Sequence, residues 1–393
     1  MANFQVKNPE ETEVLGEIEL TDPGDVAAIV ERARAARKSW SSRPVAERAA
    51  CLDAAADSLV PHKEELAKLL AAESGKPIAQ SDFEVGGGIH FLHGNAEEGR
   101  RLAGRVLPTE GNMGTEWDLA YTRREPLGVV AAILPFNFPV ELFIEKCAAA
   151  LVGGNAVVVK PPLEAPLVVE RFREAMIAAG IPADVLAAVH GGADVGAALA
   201  EAPGVDAISL TGSTAAGIAV AKATAHTLRF LHLELGGNNG CLILDDADLD
   251  LVAAEVTRGR LMMNGQACSA SKRLIVHRSL HDQLATKLVA AVEAQRHGAA
   301  TDPESTVGPL IHAGAAKKVF LIVDHLSVHE AAAVDQWLAG KEDRIEVFYL
   351  PKYAPERNPD EYLNCDLKAN INTDGLPRDR EELQGKLRRF MQK

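Results

Sequence analysis

Several features that indicate particular classes of protein are scarce in this sequence of 393 residues. Its five cysteines are widely spread and form no CxxC pair, so neither a disulfide framework nor a zinc site is predicted. The formal net charge is −14, and this shortage of Lys and Arg argues against a nucleic-acid or anionic-membrane surface. No apolar run reaches membrane-spanning length, and the N-terminus lacks the basic start and apolar core of a secretory signal. We therefore expect a cytoplasmic protein with reduced thiols.

The sequence does contain one carboxylate and one thiol that are each set among small residues. Glu234 lies in LELGGNNG, where two glycines let backbone and ligand approach closely, and Cys268 lies in GQACSASKR. A thiol in such a polar setting can be reached by substrate, and a nearby carboxylate can act as its base or activate a water. Taken separately, the thiol could be structural and the acid could be a buried structural carboxylate. Together they predict an enzyme that forms a covalent thioester.

The remaining sequence predicts helices followed by alternating strands and helices. Residues 21–105 carry helical patterns, and the alternation in 116–127 predicts strand, either a hairpin that projects for subunit contact or an ordinary edge strand. From Gly128, apolar runs of strand length (GVVAAIL, NAVVVK, VLAAVH and AISL) alternate with helices that start near Pro139, Pro166 and Ala193. This alternation predicts a parallel sheet that is covered on both faces.

Ligands of such α/β sheets bind at the loops that follow the strands, and three of those loops carry distinctive residues. They are Pro135-Phe136-Asn137, Lys160-Pro161-Pro162 and Thr211-Gly212-Ser213. Gly212-Ser213 opens a helical segment, so a phosphate could bind the backbone N–H groups at its start. No GxGxxG motif is present, and GGADVG at 191–196 is only loosely similar to one.

Five motifs in order, LPFNFP, VVVKPP, LTGSTAAG, LELGG and GQACSASKR, resemble the NAD(P)-dependent aldehyde dehydrogenase superfamily over about residues 1–315. The resemblance implies that Cys268 attacks the aldehyde, that Asn137 and the Cys268 backbone N–H hold the oxyanion, and that Glu234 activates the hydrolytic water. It implies that Lys160 contacts the adenosine ribose and that Gly212 and Ser213 anchor the pyrophosphate. The cofactor-binding residues that it implies are Leu134, Pro135, Phe136, Lys160, Gly192, Gly212, Ser213 and Leu235. The other thiols Cys51, Cys147 and Cys241 are predicted to be small core residues.

Two positions depart from the family pattern. Many NAD-preferring members carry an acidic residue three positions after the lysine, but Leu163 stands there, with Glu164 next to it. Losing that carboxylate removes repulsion toward a 2′-phosphate, so the cofactor is NAD or NADP. Asn238 and Asn239 occupy positions where a lysine commonly follows LELGG, without an evident consequence. Short aliphatic aldehydes or semialdehydes, including succinate semialdehyde, are the expected substrates.

Residues 319–393 resemble a different family, the mariner-type DDE transposases. VFLIVDHLSVH and the YLP…NPDE run are similar to the C-terminal part of such an enzyme, with Asp324 and Glu361 as its second and third metal-binding carboxylates. Three carboxylates are needed to place two metals, and the upstream sequence has no room for the first, so these two are expected to be vestigial. Because this segment also has more acidic than basic residues, we expect neither a metal nor functional nucleic-acid binding.

The expected fold is therefore α/β with three parts. Residues 1–234 form the N-terminal helices and a Rossmann-like cofactor domain with oligomerisation-type strands at 116–127. Residues 235–318 form an incomplete catalytic domain, and 319–393 form a truncated ribonuclease-H-like piece. The family's EEIFGP-type loop and its C-terminal subunit-pairing strand are missing, so we expect neither the homodimer or tetramer of the family nor efficient turnover. The alternatives are a cofactor-binding remnant without turnover, or a metal- or DNA-binding fusion through the tail.

Overall fold

The structure is a computed structural model that describes residues 2–108, 114, 117–315, 319–323 and 345–349. The chain divides into two compact units, Met1–Ala313 and Gly314–Lys393. The first unit contains the predicted helices and the parallel sheet. In the second, β12 and β13 pair in parallel, and their bounds are Val319–Val323 and Ile345–Tyr349. Asp324 and Glu361 lie outside the described residues.

The first unit begins with an antiparallel pair of strands that the sequence analysis did not predict, and continues with four helices that it did. Strand β1 spans Asn3–Lys7 and pairs with β2, Val14–Glu19. Gly75 ends the third helix in the left-handed conformation at φ 72°, and Pro44 and Pro77 precede the second and fourth. The helices are α1 Val26–Ser41, α2 Val45–Leu59, α3 Lys63–Ser74 and α4 Ile78–Arg100.

The predicted parallel sheet is present, with five strands in the order β7-β6-β5-β8-β9. Every residue of β6 and β8 is buried, which requires cover on both faces, as predicted. The strands are β5 Val129–Ile133, β6 Ala156–Lys160, β7 Leu186–Ala188, β8 Ala207–Thr211 and β9 Phe230–Glu234. The connecting helices are α5 Pro139–Val152, α6 Pro166–Ala178, α7 Ala193–Glu201 and α8 Thr214–Thr224, three of them starting where predicted.

The strand predicted over 116–127 is much shorter than expected. Among the described residues 117–127, only Ala120–Tyr121 forms a strand, β4, which pairs antiparallel with β3, Val106–Leu107. The reason is that a period-two pattern forms a ladder only where a partner strand lies beside it, and Pro126 cannot donate a ladder hydrogen bond. Trp117 is 99% exposed here, so the alternation did not report a buried face.

The last part of the first unit carries a second, smaller core. Strand β10, Asn239–Ile243, pairs in parallel with β11, Ser271–Val276. Helices α9, Leu249–Arg260, and α10, His281–Glu293, pack on each other beside this pair. Ile243, Leu249, Ala253 and Leu284 are the buried apolar residues of this cluster.

A buried carboxylate joins α3 to the start of α6. Glu73 is 1% exposed, and its two oxygens accept hydrogen bonds from the Leu167 N–H (2.7 Å) and the Val168 N–H (2.9 Å). These are backbone donors that a helix start leaves without intrahelical partners. Burial raises the pKa of Glu73 to about 8, although the two backbone donors act in the opposite direction.

Because the pKa of Glu73 is raised in the folded chain, we expect the unfolding free energy to depend on pH. Above the ordinary pKa of 4.5 the unfolded chain releases this proton, whereas the folded chain holds it up to about pH 8. The contribution of Glu73 to stability is thus present below pH 4.5 and is lost as the pH rises through this window. We expect Glu73→Gln to flatten the decline of the unfolding free energy between these two pH values in urea titrations. Glu65→Gln, on an exposed position of the same helix, is the control, and equal declines in Glu73→Gln and wild type would contradict the prediction.

Candidate active site

A cavity of about 580 Å³ lies at the carboxyl ends of the parallel strands. Its walls include the residues that follow β5, the end of β6, the loop after β7, the end of β8 and the residue after β9. This is the edge at which open α/β sheets bind their ligands. The cavity also includes the loop from Gly265 to Cys268, so it joins the sheet edge to the predicted nucleophile.

All eight predicted cofactor-binding residues line this cavity. They are Leu134, Pro135, Phe136, Lys160, Gly192, Gly212, Ser213 and Leu235. Ser213 is the N-cap of α8, and its hydroxyl accepts a hydrogen bond from the Ala216 N–H at 3.1 Å. Burial lowers the pKa of Lys160, against the opposite effects of Glu164 and Asp194.

The chemistry of this wall fits a dinucleotide. Thr211 lines the cavity, and its buried hydroxyl has no hydrogen-bond partner among the described residues. A helix N-terminus at Thr214 offers backbone donors to phosphate, and the Lys160 amine offers donors to ribose hydroxyls or phosphate. The cavity volume lies within the usual range for a small-molecule site, about 300–1,000 Å³.

The predicted oxyanion residue and the predicted nucleophile lie on the same cavity. Cys268 is exposed, whereas Asn137 is only 8% exposed. The Asn137 Nδ2 donates to the backbone carbonyl of Gln266 at 3.1 Å, and its Oδ1 is buried without a partner among the described residues. The Asn137 amide is therefore fixed against the loop that carries Cys268.

Left-handed backbone shapes the cysteine loop. Met263 (φ 50°), Asn264 (φ 55°) and Gly265 (φ 81°) all have positive φ, which is costly for Met263 and less so for Asn264. The Asn264 side chain stabilises this arrangement: its Nδ2 donates to the carbonyls of Gly75 and Pro309, each at 2.7 Å. Its Oδ1 accepts from the Gly308 N–H at 2.8 Å. The sequence analysis did not select Asn264, although the Asn-Gly dipeptide is typical of left-handed backbone.

Glu234 is less well placed than the other two catalytic candidates. It ends β9, its side chain is 61% exposed, and it is not among the residues that line the cavity. Its Oε1 lies 3.3 Å from His232 Nε2. The glycines after it do come close to the cysteine loop, because a Cβ on Gly237 would lie 3.1 Å from the Cys268 carbonyl oxygen.

Asn239, to which the sequence analysis attached no consequence, also contacts the cysteine loop. Its Nδ2 donates to the Ser269 carbonyl at 3.1 Å. Lys272 Nζ donates to the Gly237 carbonyl at 2.5 Å, which is a second bond between the same two segments. These bonds tie the LELGGNNG segment to the residues immediately after Cys268.

A buried ion pair lies behind Asn137 and was not predicted. The Lys76 ammonium pairs with Glu84 Oε2, and the two side chains are 0% and 1% exposed. Glu84 Oε1 accepts from the N–H groups of Val140 (3.0 Å) and Glu141 (3.3 Å) in the first turn of α5. Lys76 Nζ also lies 3.9 Å from the centroid of the Phe138 ring, a cation–π distance. The pair thus fixes the start of α5, directly after Asn137.

The predictions for the other cysteines are confirmed only in part. Cys147 is fully buried in the core, as expected, whereas Cys51 and Cys241 are only half-buried. Within the described ranges, no three His, Cys, Asp or Glu side chains are grouped so that they could hold a metal ion. None of the helices described is long and apolar enough to cross a lipid bilayer.

Comparison with known proteins identifies relatives along most of the chain. The chain is 33% identical over 350 residues to a mitochondrial succinate-semialdehyde dehydrogenase from Oryza sativa subsp. japonica, covering 88% of this chain and 65% of that protein. It is 37% identical over 319 residues to vanillin dehydrogenase from Amycolatopsis sp., covering 81% and 65%. The chain thus spans about 65% of the length of these curated relatives.

A solved structure shares the fold. The NADP-dependent glyceraldehyde-3-phosphate dehydrogenase from Bacillus halodurans C-125, complexed with NADP, superimposes with a TM-score of 0.76 at 35% identity. The match covers 80% of this chain and 66% of that one.

The family match also bears on the predicted boundaries. It covers residues 1–351, further than the limit near 315 set by the motifs, and it overlaps the transposase-like segment from 319. The comparisons therefore do not support the junction at 318/319, which stays a prediction. Because the match covers most of the chain, the protein belongs to the aldehyde dehydrogenase family.

Proposed function

We propose that this chain oxidises an aldehyde to the carboxylic acid with NAD or NADP, through a thioester on Cys268. The observation that carries the proposal is the single cavity that brings Lys160, Gly212 and Ser213 together with Asn137 and Cys268. One side of this cavity suits a dinucleotide, and the other offers a thiol beside an amide donor. The combination suits a covalent oxidation and has no evident use in a simple binding protein.

The proposed steps follow from the side chains. The Cys268 thiolate forms a C–S bond with the carbonyl carbon, and the carbonyl π electrons move to oxygen. Asn137 Nδ2 and the Cys268 N–H donate to that oxyanion. Lys160, Gly212 and Ser213 would hold the nicotinamide cofactor, which would supply the acceptor for the hydride that leaves as the C=O bond re-forms. Glu234 then takes a proton from water, the water oxygen attacks the thioester, and the C–S bond breaks to release Cys268 as thiolate.

The cofactor and the substrate class follow from smaller observations. Leu163 lines the cavity near Lys160 and carries no charge that would repel a 2′-phosphate, so we propose that NADP is accepted as well as NAD. The Bacillus halodurans relative is NADP-dependent, which supports this choice. We propose short aliphatic aldehydes or semialdehydes as substrates, supported by the similarity to succinate-semialdehyde dehydrogenase.

The test is cofactor reduction by the full-length chain with a panel of short aldehydes and semialdehydes. We expect reduced cofactor to accumulate with NAD or NADP, and each cofactor alone to raise the melting temperature. A shift in melting temperature without reduction would favour a second candidate, a cofactor-binding protein without turnover. The exposed position of Glu234 outside the cavity is the observation that favours that candidate. If the cofactors cause no shift in melting temperature and no reduced cofactor forms, both candidates are overturned.

Asn137→Ala removes the proposed side-chain donor to the oxyanion. We expect kcat to fall by about 10²–10³-fold, as for other oxyanion-hole donors, with KM for the cofactor little changed. Asn155→Ala is a structural control, since Asn155 donates to the Ala150 carbonyl within the fold, away from the cavity. If the two variants lose kcat equally, Asn137 has no special part in the reaction.

For the tail, we propose the transposase-related fragment suggested by the motifs around Asp324 and Glu361. The division of the chain into units at Ala313/Gly314 is compatible with it, whereas the parallel pair of β12 and β13 lies within the family match and does not distinguish the two origins. Inductively coupled plasma analysis of the purified chain after Mn²⁺ dialysis would detect a metal bound there, which we do not expect. Assembly through the oligomerisation-type strands predicted at 116–127 and a cytoplasmic location stay predictions.

A further inference from the structure

A chain of polar side chains runs from the core of the cofactor domain to Glu234. Lys146 on α5 is 7% exposed, and its Nζ donates to Ser209 Oγ on β8 at 3.0 Å. Ser209 Oγ lies 3.0 Å from His232 Nδ1 on β9. His232 Nε2 lies 3.3 Å from Glu234 Oε1, which completes the chain.

The strand register makes this arrangement more than a chance contact. Ser209 and His232 are directly paired residues of the parallel strands β8 and β9. His232 and Glu234 are two residues apart on β9, so their side chains point to the same face. Lys146 reaches Ser209 from α5, and the negative charge of Glu234 acts on the Lys146 amine. The link therefore joins a buried amine to the carboxylate through a hydroxyl and an imidazole.

The chemistry of the two ends is compatible with one continuous direction of hydrogen bonding. A lysine ammonium can only donate, so Ser209 Oγ accepts from it and keeps its own hydrogen, which it can donate to His232 Nδ1. With Nδ1 as acceptor, a neutral imidazole carries its hydrogen on Nε2, where it donates to the Glu234 carboxylate.

We propose that His232 is the positioning residue for Glu234: held in the Nε2–H tautomer by Ser209, it orients the carboxylate for attack of water on the thioester. The proposal rests on the proposed function of Glu234, whose side chain is exposed and would otherwise rotate freely. His232 forms no bond to the substrate and acts only through Glu234.

The positioning role predicts a change in one half-reaction. In His232→Ala, formation of the thioester should proceed, whereas its hydrolysis should slow by about 10–100-fold, as when an outer-shell partner is lost. Reduced cofactor should then appear as a rapid burst that equals the enzyme concentration, followed by a slow phase. Because hydrolysis then limits turnover, kcat and KM for the aldehyde should fall together and kcat/KM should stay unchanged. Because His232 is 53% exposed, added imidazole can enter the space left by its side chain. It should therefore restore the rate of thioester hydrolysis, which the slow phase measures. His226→Ala, on an exposed position outside the chain of contacts, is the control and should resemble wild type.

A second measurement does not depend on turnover. The ring nitrogens of His232 in ¹⁵N-labelled protein should show the Nε2–H tautomer, and Ser209→Ala should shift the resonances toward a mixture of tautomers. If His232→Ala slows burst and slow phase equally, and imidazole restores neither, the residue is merely structural and the proposal is overturned. An Nδ1–H tautomer in wild type would also overturn it. If wild type reduces no cofactor, the proposed function fails, and the tautomer alone decides whether this hydrogen-bonded chain exists.

Discussion

Cys268→Ala is expected to abolish aldehyde oxidation, lowering kcat by about 10⁴-fold or more. The methyl group cannot form the C–S bond, so no covalent intermediate exists from which a hydride can be released. The variant should still show the rise in melting temperature with NAD or NADP, because it changes none of the residues that are proposed to bind the cofactor. Cofactor reduction and thermal shift, measured on the same preparation, separate loss of chemistry from loss of fold.

Cys147 provides the matched control. It is fully buried in α5, and burial raises the pKa of its thiol, so it is neither reachable nor easily ionised. We expect Cys147→Ala to retain cofactor reduction, apart from a modest loss of stability from one removed sulfur atom. Unchanged turnover in Cys268→Ala would contradict the thioester mechanism.

Glu84→Gln is expected to have the largest effect on stability, a loss of about 3–5 kcal/mol in the unfolding free energy. The substitution leaves the Lys76 ammonium buried beside a neutral amide, and a buried charge without its partner is costly. It also weakens the bonds from the Val140 and Glu141 N–H groups, so the start of α5 and the adjacent Asn137 should become less ordered. Urea unfolding measures the first effect, and kcat of the folded variant measures the second.

Two further variants test whether the charge itself is responsible. The double variant Lys76→Met/Glu84→Gln removes both charges and should recover part of the stability that Glu84→Gln loses. Glu64→Gln breaks the exposed pair with Lys68 on α3 and should leave the unfolding curve almost unchanged. If Glu84→Gln unfolds at the same urea concentration as Glu64→Gln, the buried pair contributes nothing measurable.

The sequence predicted the sheet and the location of most of the site for clear physical reasons. The strands are continuous apolar runs, and Pro139 and Pro166 mark helix starts because a first-turn proline sacrifices no hydrogen bond. Parallel strands bring their carboxyl ends to one edge, so the loops with Asn137, Lys160 and Ser213 had to meet there.

The structural features that could not be predicted from the sequence depend on contacts between distant residues. No local sequence pattern indicates that Lys76 pairs with Glu84. Nor does any pattern indicate that Glu84 accepts a hydrogen bond from the backbone of the first turn of α5. The strand at 116–127 was overestimated because alternation does not say whether a partner strand lies alongside. The motif around Glu234 indicated its chemistry, but the orientation of its side chain depends on Ser209 and His232, which no motif includes.

The Asn264 side chain also limits how this protein can be recombined with its relatives. It bonds simultaneously to Gly75 at the end of α3 and to Gly308 and Pro309, so segments far apart in the chain share one amide. A crossover between α3 and the cysteine loop, or between that loop and Gly308, would combine an asparagine from one parent with backbone from another. Domain shuffling that retains the geometry of Cys268 therefore has to retain Asn264 and the backbone positions of residues 75, 308 and 309 relative to it.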